Sequence, residues 1–354
     1  MELHGGNIYK LKREKGIEVL DYSANINPLG LSDRLKEAVI ENLSCLEQYP
    51  DPDYLEMKEV IAKHNKIDAE NIIVGNGATE IMFLYAKNLK PKKVLIISPT
   101  FAEYERALKT IDCEVDYFQL KEEEDFILNI PRLKKTLDNK YDLLVMCNPN
   151  NPTGKFIDKL ILDDLATSCK NKGISILLDE AFIEFVDGSV DRSLVEYKHK
   201  NVFIVRALTK FFAIPGLRLG YGITFDSKLK EKIEGNREPW SVNAIAELAT
   251  KALLEDREYI TKSENWIKEE KCFMYKELEK IEGIKPFITE TNFILVKLMN
   301  GMRVEEFRQK MISLGVLVRD ASNFNYLDDK YFRLAIKDRV NNVKVLGCIE
   351  NAIR

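Results

Sequence analysis

Short apolar runs alternate along the chain with longer stretches whose apolar residues recur every three or four positions. The runs at 72–74, 94–98, 115–119, 143–147, 175–178, 202–205 and 219–224 are mostly apolar, and apart from 115–119 (V-D-Y-F-Q) carry few polar residues, the pattern of strands buried on both faces. The intervening segments 78–90, 102–111, 131–137 and 159–172 carry the helical period. This alternation predicts an α/β domain with a mostly parallel sheet over residues 31–240. The pattern changes after Trp240. A long charged helix is expected at 242–278, then a strand at 293–296, a helix at 303–314, strands at 316–318 and 331–336, and a last helix. Residues 241–354 are therefore expected to form a smaller α+β domain. Residues 1–30, rich in Gly, Asn and Pro, read as an arm packed at the small domain and the active site. The run K-E-E-E-D at 121–125 reads as a solvated turn without a function.

Composition narrows the classes. The 354 residues are 45% hydrophobic and 31% charged, with a net charge of −4 and a pI near 5.7. No global basic field recruits nucleic acid. No apolar h-region opens the chain and no run approaches 18 apolar residues, so a cytoplasmic protein without a membrane span is expected. The six cysteines lack a C-x-x-C pair and there are only three histidines, so neither a disulfide framework nor a metal centre is expected.

The chemistry sits where strands end. In R-A-L-T-K-F-F-A-I-P-G-L-R (206–218), Lys210 stands between Leu208 and Phe211-Phe212. Its stem could carry the ammonium to water, or the amine could meet a ligand. Asp179 follows Ile176-Leu177-Leu178, where a poorly solvated carboxylate takes up a proton or finds a cation. Gly75-Asn76-Gly77-Ala78-Thr79 leads from a strand into a helix, whose free N–H groups suit a phosphate, although glycine there can serve the turn alone. Asn148–Gly154 (N-P-N-N-P-T-G) could likewise be only a stiff loop. One ligand answers all four features: a phosphate, a nitrogen that a carboxylate keeps protonated, and an aldehyde for the lysine. Pyridoxal phosphate has all three.

As a set, N-P-N-N-P-T-G, D-E-A and T-K-F-F-A-I-P-G-L-R resemble the fold-type-I pyridoxal-phosphate enzymes of aminotransferase class I/II, over essentially the whole chain. The resemblance implies an aspartate-aminotransferase-like α/β fold and roles for particular residues. Lys210 would form the Schiff base with the cofactor aldehyde, and Asp179 would partner the pyridinium. Asn151 would donate to the ring 3-oxygen, and Phe101 would stack on the ring. Gly77, Ala78, Thr79, Thr209 and Arg218 would cradle the phosphate. Tyr49 would reach the cofactor phosphate of a neighbouring subunit, making a homodimer with composite sites. Two positions depart from the pattern. Phe182 stands where most relatives have a tyrosine donating to the ring oxygen, and Ala207 where a phosphate-binding Ser or Thr is common.

Two branches come nearest: decarboxylases of L-threonine O-3-phosphate and histidinol-phosphate aminotransferases. H-G-G-N at 4–7, S-A-N-I-N-P-L-G at 23–30, D-E-A-F and V-R-D-A-S-N-F resemble the first. That branch implies a small phosphorylated amino-acid substrate, with L-serine phosphate a second candidate, and a place in cobalamin biosynthesis. The alternative implies amino transfer from histidinol phosphate to 2-oxoglutarate. His4, Asn27, Arg319 and Arg333 are the candidates for holding the substrate's phosphate and carboxylate. Which arginine takes which group stays open. A regulator built on the same fold would carry a fused DNA-binding module, and no such segment stands in the chain.

Overall fold

The computed structural model describes residues 5–354, so His4 lies outside the described residues. Seven strands form one sheet, in the order Ile72–Gly75, Gly220–Thr224, Val202–Ala207, Ser175–Asp179, Leu143–Cys147, Lys93–Ser98, Glu114–Gln119. Neighbours run parallel except Gly220–Thr224, which is antiparallel to both strands beside it. The central strands are buried along their whole length because both faces are covered. Alternate residues of one strand show this: Leu144 and Met146 join one apolar cluster, Leu143 and Val145 the other. The edge strand Glu114–Gln119 is only partly buried.

The topology brings the strand ends together. Cys147 pairs with Asp179, Asp179 with Val205, and Ala207 with Gly220, which in turn faces Gly75. Each expected polar segment leaves the sheet along this one edge. Opposite it, an antiparallel sheet of Arg319–Asp320, Tyr331–Ala335, Phe293–Leu298 and Ile284–Pro286 sets Arg319 and Arg333 at facing register positions. Among the described residues no helix is long and apolar enough to cross a membrane.

Two local expectations need correction, and a third gains detail. The amino-terminal arm has structure of its own. It holds a helix, Ile8–Lys15, capped by Asn7 and ended by Gly16, and its strand Leu20–Asp21 pairs in parallel with Val316–Leu317. Tyr22 is fully buried there and donates to Asn342 Oδ1 at 2.9 Å. The long charged helix is two helices, Ala244–Leu254 and Arg257–Glu279. Asp256 starts the second by accepting from the Tyr259 N–H at 3.0 Å, satisfying a first-turn donor that a continuous helix would use itself. The K-E-E-E-D run is not merely solvated, since Glu122 reaches three side chains of the four-stranded sheet.

Candidate active site

A cavity of about 410 Å³ lies between the carboxyl edge of the large sheet and the four-stranded sheet. At one end is the amino terminus of helix Ala78–Leu89, with Ala78 and Thr79 lining the cavity. Gly77 precedes the helix at φ +83° and makes no side-chain cap. A Cβ there would stand 2.7 Å from Arg218 Nη2, so the missing side chain is what lets the guanidinium come up to the helix start. Gly220 does the same from behind, where a Cβ would sit 2.3 Å from the Ala78 nitrogen. Open N–H groups, the positive helix end and a guanidinium make an anion cradle.

In the middle stand Asp179, buried, and Lys210, partly buried at the cavity wall. Burial, then the cations Arg218 and Arg333, push the Lys210 amine down to about 8, against the opposing pull of Asp179. Burial raises the Asp179 carboxyl, and the hydrogen bonds that favour its charged form oppose that rise. The Tyr104 hydroxyl donates to its Oδ2 at 2.6 Å and the Ala181 N–H to its Oδ1 at 2.8 Å. A desolvated carboxylate thus stands in the same cavity as an amine that is easily made neutral and nucleophilic. The Thr209 hydroxyl lies 3.4 Å from Lys210 Nζ.

The far wall is cationic. Arg333 Nη1 donates to Asn151 Oδ1 at 2.5 Å and Nη2 to the Ser23 carbonyl at 2.9 Å, while its buried Nε makes no hydrogen bond. Burial and the charge of Arg319 press its pKa down to about 9. A guanidinium keeps its proton in practice, so the strain appears as a demand for an anion. Arg319 donates to the Asp320 carbonyl and to Asn323 Oδ1, and lines the same cavity.

Phe101, Phe182 and Ala207 also line the cavity. Phe182 packs edge-on against Phe293, with ring centroids 5.1 Å apart, and offers no hydroxyl to the site.

Two expected residues stand elsewhere. Asn27 is buried away from the cavity. Its amide donates to the Phe211 carbonyl and to Ser263 Oγ, both at 2.8 Å, and its Oδ1 accepts from Leu29. Both ends are satisfied in this way, and Asn27 does not line the cavity. Asn25 stands in the cavity wall, and its buried Oδ1 has no hydrogen-bond partner. Tyr49 lies outside the chain's own cavity, exposed and stacked on Trp240 at 4.5 Å. Sequence reasoning also missed Tyr104, which follows Phe101 by three positions in the first turn of helix Glu103–Lys109; a tyrosine so near a candidate ring-stacking residue was the available signal.

The model of aminotransferase class I and II matches residues 17–347. The chain belongs to this family. A protein of Caldanaerobacter subterraneus subsp. tengcongensis, provisionally named a threonine-phosphate decarboxylase, is 44% identical, over 99% of this chain and 93% of its own. The threonine-phosphate decarboxylase of Salmonella typhimurium is 35% identical, over 99% and 96%. The crystal structure of the histidinol-phosphate aminotransferase from Clostridium acetobutylicum is 35% identical, covers 95% of this chain and 99% of its own, and superposes with a TM-score of 0.89. The fold is the aspartate-aminotransferase-like one.

Pyridoxal phosphate is the cofactor of this family. The cavity's donor set fits it: an anion cradle at the helix start, a buried carboxylate for a ring nitrogen, and an amine at the cavity wall. Asn151 presents its Oδ1 to Arg333, and its amide N–H₂ would be the donor to a ring 3-oxygen. Phe101 stands in the wall beside Tyr104, 5.8 Å between ring centroids, and would offer the ring an apolar plane.

Proposed function

We propose that this chain is a pyridoxal-phosphate-dependent lyase that releases CO₂ from a phosphorylated amino acid, L-threonine O-3-phosphate before L-serine phosphate, yielding aminopropanol phosphate from the first. The observation that carries the reading is the pair Arg319 and Arg333, at facing positions of adjacent strands, in one cavity with Lys210. Two cations beyond the cofactor's own phosphate cradle match a substrate with two anionic groups, a carboxylate and a phosphate. The threonine-phosphate decarboxylase relatives support the same substrate class.

When bound, the cofactor supplies a ring that accepts the electron pair of whichever Cα bond breaks. The residues of this chain choose that bond. Asp179 would keep the ring nitrogen protonated, with Tyr104 and the Ala181 N–H holding its carboxylate in place. Lys210 would be displaced by the substrate amine, take up a proton, and deliver it to Cα in place of the departing carboxylate; a pKa of about 8 lets the amine both gain and give that proton. Gripping the distal phosphate would set the rotation of the substrate, so that the carboxylate rather than the Cα proton is the group presented for cleavage. Phe101 and Phe182 would exclude water from the reacting face. His4 belongs to this reading as a further contact to the substrate phosphate.

The reading includes a homodimer with composite sites. Ile40, Leu43, Leu46 and Leu55 are exposed in the same part of the sequence as Tyr49. An apolar hollow between helix Asp33–Glu41 and Ile214–Leu217 adjoins them in sequence, and a second copy would cover such surface. Tyr49 of each chain would reach the other's cofactor phosphate. Mixing a Tyr49→Phe chain with a Lys210→Ala chain should then restore one intact site per hybrid dimer.

One observation favours amino transfer from histidinol phosphate: the close superposition on the Clostridium acetobutylicum enzyme. The deciding experiment supplies the holoenzyme with L-threonine phosphate, L-serine phosphate, or histidinol phosphate plus 2-oxoglutarate, and follows CO₂ and glutamate separately. CO₂ from a phosphoamino acid supports the lyase. Fast glutamate formation without CO₂ overturns it.

A further inference from the structure

Residues 121–126 (K-E-E-E-D-F) follow the edge strand of the large sheet, yet the Glu122 and Phe126 side chains pack on the four-stranded sheet. Glu122 Oε2 accepts from Lys297 Nζ at 2.6 Å and from the Tyr331 hydroxyl, and Oε1 accepts from Lys285 Nζ at 3.3 Å. These partners come from three adjacent strands. Phe126, buried four residues on, meets Phe287 edge-on at 5.0 Å and Tyr331 at 6.2 Å. Partial burial alone would raise the Glu122 carboxyl; its contacts with Lys297 and Tyr331 outweigh that and hold it below the usual range.

Tyr331 and Arg333 are two residues apart on one strand and so share a face. That face is tied to the large-sheet side at two points: Tyr331 to Glu122, and Arg333 to Asn151. Arg333 rides on the strand that Glu122 pins, and Arg319, in register with Arg333, on the strand paired to it.

We propose that Glu122 is a positioning residue for substrate binding: it fixes the strand Tyr331–Ala335 so that Arg333 and Arg319 stand where the substrate's anionic groups arrive. The inference rests on the reading that these arginines grip the substrate. A strut set this far from the reacting atoms acts through placement, where an error of about 1 Å can cost on the order of 10²-fold.

The test uses holoenzyme carrying Glu122→Gln or Tyr331→Phe; the second keeps the aromatic packing and removes only the hydroxyl. L-threonine O-3-phosphate binding is titrated through the visible absorbance of the bound cofactor, which needs no turnover, and KM and kcat are measured beside it. Affinity should fall and KM rise roughly tenfold, with kcat within about twofold and cofactor affinity unchanged. In an Arg333→Ala background the same substitutions should add almost nothing, because the gripping group is already gone. An unchanged KM with only a lower melting temperature overturns the proposal, as does a loss fully additive with Arg333→Ala. Failure of the decarboxylase reading looks different: wild-type enzyme would release no CO₂. In that case the titration is repeated with histidinol phosphate, and the same weakening is required of the variants.

Discussion

The two walls of the cavity are built differently. The cofactor wall is the edge of a parallel sheet, where Gly77, Asn151, Asp179 and Lys210 each sit within a few residues of a strand end. Ladder pairing and apolar packing on both faces hold those ends in register. The opposite wall is a small antiparallel sheet whose Arg333 is tied to distant segments, directly to Ser23 and Asn151 and through Tyr331's strand to Glu122, while Arg319 bonds to Asp320 and Asn323 nearby. On the proposed reading, cofactor chemistry sits on the sheet edge, and substrate selectivity on the wall that these distant hydrogen bonds and packing place. The first should therefore fail through kcat and the second through KM.

The largest expected effect is on the cofactor wall. Lys210→Ala should remove covalent capture of the cofactor and lower kcat by roughly 10²–10⁴ from lost proton transfer alone, with unchanged circular dichroism. Cofactor still fixed to the variant by borohydride would assign the link to another residue. Asp179→Asn should lower kcat by roughly 10²–10³ while KM changes little, since a neutral amide cannot stabilise charge that develops on the ring; near-native turnover would remove Asp179 from its role. On the other wall, Arg333→Ala should weaken binding of the phosphoamino acid by about 1.5–3 kcal/mol, measured by the same absorbance titration. A pure kcat effect there would break the comparison.

Smaller effects lie in the pH profiles. Tyr104→Phe removes a donor that favours the charged form of Asp179, so the carboxyl should hold its proton to higher pH. The acid limb of the kcat profile should move upward, with kcat at its plateau falling about tenfold or less; an acid limb that stays put would show Asp179 indifferent to the hydroxyl. Smallest is a shift of a limb without loss of rate. With Lys210 near 8 rather than 10.5, its amine is neutral above that pH, so capture of added cofactor by cofactor-free protein should rise through pH 8 and level off. A rate still climbing towards pH 10.5 would mean that the burial and neighbouring cations do not act as described.

Much of this was legible in the order of residues. Continuous apolar runs identify strands covered on both faces, and a parallel sheet brings their carboxyl ends to one edge, so polar residues after such runs become site candidates. The strands 143–147 and 202–205 and the residues Asp179 and Lys210 follow from that reasoning. The break at Asp256 was harder, because an N-cap residue looks like any acidic residue in a charged helix until its side chain is seen on Tyr259.

What the sequence by itself determined is what depends on neighbours in the chain: strand periodicity, the glycine before a helix start, the amine and carboxylate at strand ends, and the motifs that carry the family. Only the tertiary structure put Asn25 in the cavity wall and turned Asn27, the expected candidate, away from it. The two share one short segment, and the choice rests on Phe211 and on Ser263, 236 residues onward. The same holds for the facing arginines and for Glu122, which reads locally as a solvated acid and is turned inward by Lys297 and Tyr331, 175 and 209 residues away. Local patterns carry no information about which distant strand will pack against them; burial of both sheets settles that, and with it the shape of the substrate wall.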